Sequence, residues 1–67
     1  MKIRSIITDR IYEPDEMVCI TNPSQIAKYI KNGAVLYDLL ESNGLLVGVF
    51  SKRGTSDLYR KWQVHEL

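Results

Sequence analysis

The chain predicts a small α+β domain in which an antiparallel sheet and two amphipathic helices follow the order ββαββα. Three stretches point to it. Asn43-Gly44 joins two apolar runs, residues 35–40 and 45–50, and is well suited to a two-residue type I′ turn, because both central residues there need positive φ. Thr21-Asn22-Pro23-Ser24-Gln25 is a clear helix start, and Leu58, Tyr59, Trp62 and His65 recur on one face at helical spacing. At 67 residues the chain is one domain, residues 1–67. A chain of this length buries only about 60% of its unfolded surface, so its stability is small.

In chain order, residues 2–10 set Ile3, Ile6 and Ile7 among polar side chains, an alternation broken once. This predicts a first strand with a bulge near Ser5. Glu13-Pro14-Asp15-Glu16 is turn chemistry, Pro fixing φ and Asp accepting local hydrogen bonds. Met17-Val18-Cys19-Ile20 is a short β-forming run able to pair with the first strand. Asn22 then caps a helix, Pro23 fits its first position and Gln25 completes a capping-box pattern. Ile26, Ala27, Tyr29 and Ile30 form the face for burial, and Gly33 suits the left-handed position beyond the helix end.

In the hairpin, a two-residue loop at Asn43-Gly44 sets Ser42 opposite Leu45, Leu40 opposite Val47, Asp38 opposite Val49 and Tyr37 opposite Phe50. Residues 51–57 read as a polar connection, with Thr55 or Ser56 capping a second helix from Leu58 to the chain end. The register sorts Val35, Tyr37, Leu39, Leu46, Gly48 and Phe50 to one face. Leu36, Asp38, Leu40, Leu45, Val47 and Val49 fall on the other. Both faces are apolar, whereas an antiparallel sheet in a monomer usually keeps one face wet. Two short helices with short connections pack on the same side of a sheet. The second face, at Leu36, Leu40, Leu45, Val47 and Val49, is therefore expected to meet another copy of the chain, a homo-oligomer.

The composition, 45% hydrophobic and 25% charged with a net charge of +1, excludes a disordered chain and any whole-molecule field that would draw nucleic acid or an anionic membrane. Cys19 is the sole cysteine, so there is neither an intrachain disulfide nor a cysteine-based zinc spacing, which fits a reducing, cytoplasmic setting. No run approaches the roughly 20 apolar residues of a membrane span, and residues 1–10 interrupt their apolar character too often for a signal-peptide core.

Among residues with chemistry to offer, Lys52, Arg53, Gly54, Thr55 and Ser56 form the sharpest local feature. Basic side chains, hydroxyls and a glycine just before a helix N-terminus suit a phosphate or other small anion, although no P-loop or dinucleotide fingerprint is matched. Lys28 and Lys31 with Lys52 and Arg53 give the alternative of a single-stranded nucleic-acid surface. His65 has no partner that would make a nucleophile and base pair, and Cys19 reads as a small hydrophobe. Asp38 reads as meeting solvent at a sheet edge, with pairing to a Lys or Arg from elsewhere as the alternative, and the aromatic residues read as core. The expectation is a protein with no enzymatic activity and no cofactor or metal.

The pattern Asn22-Pro23-x-Gln25, Tyr29, Gly33, Leu46-Val47-x-Val49-Phe50-x-Lys52, Leu58-Tyr59-x-x-Trp62 and His65-Glu66-Leu67 resembles small uncharacterised proteins of Firmicutes and their phages. That resemblance implies no activity. It implies a phage or mobile-element origin, and by analogy a protein that binds a host protein or sequesters a small anionic ligand.

Overall fold

The computed structural model describes all residues, Met1–Leu67, and has the expected α+β architecture. Its elements are β1 (Ile3–Arg4), β2 (Ile11–Tyr12), a 3₁₀ turn (Pro14–Glu16), β3 (Met17–Ile20), α1 (Pro23–Lys31), β4 (Leu36–Ser42), β5 (Leu45–Ser51) and α2 (Lys52–Gln63). β3, β5 and β4 form a three-stranded antiparallel sheet in that order, and β1 and β2 form a separate two-stranded ribbon. No helix is long and apolar enough to cross a membrane.

The hairpin turn is as expected, with Asn43 at φ 51° and Gly44 at φ 80°. Ser42 pairs with Leu45, Leu40 with Val47 and Asp38 with Val49. Beyond Asp38 the register slips. A bulge at Tyr37 places Leu36, not Tyr37, opposite Phe50. An inserted residue reverses the facing of what precedes it. Leu36 therefore joins the helix side, where it packs on the core. Tyr37 instead meets Tyr12 edge to face, with ring centroids 6.5 Å apart.

Both helices cover that side of the sheet. Ile20, Ile26, Tyr29 and Phe50 form the core, flanked by Val18, Ala34, Leu36, Leu58, Trp62 and Leu67. Tyr29 and Phe50 stack edge to face at 5.4 Å. Asn22 caps α1 by accepting from the N–H groups of Ser24 and Gln25. Ile30, assigned to the buried face by spacing, is exposed. At Gly48 an added Cβ would stand 3.1 Å from Phe50 Cε2 and 3.2 Å from Ile26 Cδ1, so α1 approaches β5 where there is no side chain.

Two local expectations are corrected, and a strand pairing that the sequence leaves open is settled. Residues 2–10 are not one strand: β1 stops at Arg4, and the chain turns and returns as β2, pairing Ile3 with Tyr12 and Arg4 with Ile11. The cause is Ser5, whose hydroxyl oxygen accepts the N–H groups of Ile7 and Thr8 and so competes with a strand. Next, β3 pairs with β5 and not with the first strand. Last, α2 begins at Lys52 rather than Leu58, because Ser51 is the cap and accepts from the Gly54 N–H. After α2 the chain folds back, and the Lys28 ammonium donates to the Leu67 carbonyl at 3.0 Å while lying over the Trp62 ring.

Candidate functional site

The face of the sheet away from the helices carries Asp38, Val49 and Cys19 in one row across β4, β5 and β3. Asp38 is only 4% exposed and meets neither solvent nor a cation. Its Oδ1 accepts from the Ser5 hydroxyl at 2.6 Å and the Leu39 N–H at 2.8 Å, and its Oδ2 accepts from the Tyr12 hydroxyl at 2.6 Å. Burial pushes its carboxyl up, but those three hydrogen bonds together outweigh burial and hold it below the ordinary 3.8. Tyr12 is pushed up to about 12, first by the hydrogen bond to Asp38 and then by burial. A carboxylate thus fastens the N-terminal segment to the sheet.

That segment bears on the expected oligomer surface. Val47 and Val49 are buried within the single chain, on the face where Ser5 and Tyr12 reach Asp38, and Leu36 has turned to the helix side. Of the five residues expected at a contact between copies, Leu40 and Leu45 are left exposed. Sequence reasoning missed what replaces the other three. Ile6 is 97% exposed and Ile7 63%. With Ile3 and Leu40 they line one side of a concavity of roughly 500 Å³ that reaches Tyr12 and Asp38. The signal was in the sequence: Ser5-Ile6-Ile7-Thr8 has its two isoleucines adjacent, so one strand face could not bury both.

The stretch 51–56 is placed differently from its sequence reading. Lys52, Arg53, Gly54, Thr55 and Ser56 are the first turn and a half of α2. Thr55 is buried, and its hydroxyl donates to the Ser51 carbonyl. The Lys52 ammonium donates to the Asp15 carbonyl at 3.1 Å. The surface beside Lys52 and Arg53 is also lined by Asp15 and Glu16, whose carboxylates oppose an anion. The five residues do not converge on one point, and Lys28, bound to Leu67, lies on another element.

No group of three His, Cys, Asp or Glu side chains is close enough to hold a metal ion. His65 is exposed with φ 60°, on the return that follows α2. No family model matches the chain, and no curated protein or solved structure matches it either.

Proposed function

We propose that this chain is a non-enzymatic interaction module that self-associates and works by binding another protein. The observation that carries the binding of another protein is the apolar surface of the N-terminal turn. A tight turn needs polar or flexible residues and gains nothing from isoleucine, yet Ile6 and Ile7 stand in solvent beside Ile3 and Leu40. A chain this short has little core to spare, so large side chains left outside point to a surface that is covered in use. A protein surface suits this apolar concavity better than a small anion does. Asp38 accepts three hydrogen bonds from within the chain and is buried, which turns it inward rather than toward a ligand.

The test is the weight-average mass by sedimentation over a dilution series from micromolar to millimolar, for wild type and for Ile6→Asp/Ile7→Asp. Mass that rises with concentration in wild type is expected. A monomer throughout would overturn self-association. Both substituted positions are exposed, so the double variant should keep its fold and its self-association and lose only the apolar surface offered to another protein.

A further inference from the structure

The three-stranded sheet has two edges, and the chain treats them differently. The β4 edge is blunted. It carries the bulge at Tyr37, the Thr8 hydroxyl donates to the Tyr37 carbonyl at 2.6 Å, and the Leu39 N–H is taken by the Asp38 carboxylate. Asp38 and Glu41 add negative charge to the same strand. These are devices by which proteins stop an edge from pairing.

The β3 edge has almost none of them. Met17-Val18-Cys19-Ile20 has no charge, no proline and no bulge. Alternate residues of an antiparallel strand turn both N–H and C=O outward. The Met17 N–H goes to the Pro14 carbonyl, away from β5, which puts Cys19 in the outward set. No other turn, loop or cap hydrogen bond reaches the backbone of residues 17–20. Beside this edge, between β3 and α2, runs an open groove of roughly 380 Å³ lined by Val18, Ile20, Tyr29, Thr55 and Tyr59 together with Lys52.

We propose that β3 pairs with β3 of a second copy, antiparallel about a two-fold axis at Cys19, so that three strands from each chain make one continuous sheet. The inference rests on the self-association proposed above and names its site. The charge pattern selects a second copy as the occupant. In a two-fold antiparallel pair each residue faces itself or a near neighbour, so a charged edge would repel its own copy. The strand itself has no charge to repel, and the ammonium of Lys52 in the groove is held by the Asp15 carbonyl. With the axis at Cys19, Val18 of one copy stands opposite Ile20 of the other. Opposed residues share a face, so these side chains enter the groove along α2. Four residues of strand make a small contact, below the roughly 1,200 Å² of standard stable interfaces unless the groove is filled. The dimer is therefore expected to be concentration-dependent.

Cys19, exposed and the only cysteine, supplies the reporter. Under reducing conditions followed by a short bis-maleimide, wild type at concentrations where sedimentation shows a dimer should yield a covalent dimer. Cys19→Ser should sediment as wild type and give no cross-link. Cys19→Lys should shift the mass to monomer, because two ammonium groups would face each other across the axis. Ile6→Asp/Ile7→Asp should leave this dimer intact. A dimeric wild type that the reagent does not link, or a folded Cys19→Lys that associates as wild type does, overturns the edge while leaving self-association standing. A wild type that is monomeric throughout removes both. Should Cys19→Lys fail to fold, the cross-link in wild type decides alone.

Discussion

Replacing Asp38 tests whether one buried carboxylate organises the N-terminal segment. Its three hydrogen bonds come from Ser5, Tyr12 and the Leu39 N–H. Asp38→Asn keeps the shape. The amide oxygen can stay with Ser5 and Leu39, and the amide nitrogen can donate to Tyr12, whose hydroxyl also accepts. What is lost is charge assistance, about 1 kcal/mol per bond from the difference between charged and neutral hydrogen bonds, or about 3 kcal/mol for all of them. Relief from burying a charge offsets part of that, so the expected net cost is about 1–2 kcal/mol. Asp38→Ala leaves three donors without an acceptor and should cost about 3–5 kcal/mol, comparable with the whole stability expected of so small a domain. Urea unfolding followed by Trp62 fluorescence at pH 7 measures both. In thermal melts a domain of this size loses about 4–8 °C per kcal/mol. An Asp38→Asn within about 0.5 kcal/mol of wild type, the scatter of ordinary surface changes, together with an Asp38→Ala no worse, would refute the anchoring role of this carboxylate. The acid limb is a second check. The folded-state pKa of Asp38 is depressed below 3.8, so the unfolded chain binds the proton more readily. Its contribution is full above that value and is lost as pH falls through the folded pKa. That loss should be absent in Asp38→Asn.

Tyr12 makes the complementary prediction at high pH. Its folded pKa is raised from 10.0 to about 12, so its contribution is full below the unfolded value and is lost as pH rises through the folded one. In an ultraviolet titration one phenol should stay protonated to about pH 12 and should be missing from Tyr12→Phe, and a titration complete well below that pH would refute it. Gly48→Ala places a Cβ 3.1 Å from Phe50 and 3.2 Å from Ile26, both buried. Overpacking of this kind costs about 1–3 kcal/mol, read as a lower urea midpoint, and an unchanged midpoint would mean that α1 sits farther from β5.

What was legible in the sequence was local chemistry. Asn22, Pro23 and Gln25 announce α1, and Asn43-Gly44 fixes the turn and the register of the residues nearest it. What was not legible came from atoms far apart in the chain. The bulge at Tyr37 follows from nothing in residues 35–40 alone. It goes with the Tyr12 ring, the Thr8 hydroxyl on the Tyr37 carbonyl and the burial of the neighbouring Asp38. The partners of Asp38 are 26 and 33 residues away, so an acid between leucines on what is an edge strand read as meeting solvent when it is buried. The start of α2 turned on a single choice among hydroxyls, where Ser51, at the end of β5, takes the capping role that Thr55 or Ser56 could equally have filled.

The two-sided apolar character of the hairpin therefore has two answers. Leu36 crosses to the helix side through the bulge, and Val47 and Val49 are buried on the face to which Ser5 and Tyr12 are tied. Ser5 is the atom-level link between fold and surface. One hydroxyl donates to Asp38 and accepts from Ile7 and Thr8, so the bond that anchors the segment also builds the turn on which Ile6 and Ile7 stand exposed. An apolar contact surface on a free turn would lose much of its affinity to ordering. Here the turn that carries the isoleucines is tied through Ser5 to a buried carboxylate, which lowers that ordering cost for any partner of the proposed kind. If the turn binds a protein as proposed, Asp38→Asn should weaken that binding without touching Ile6 or Ile7.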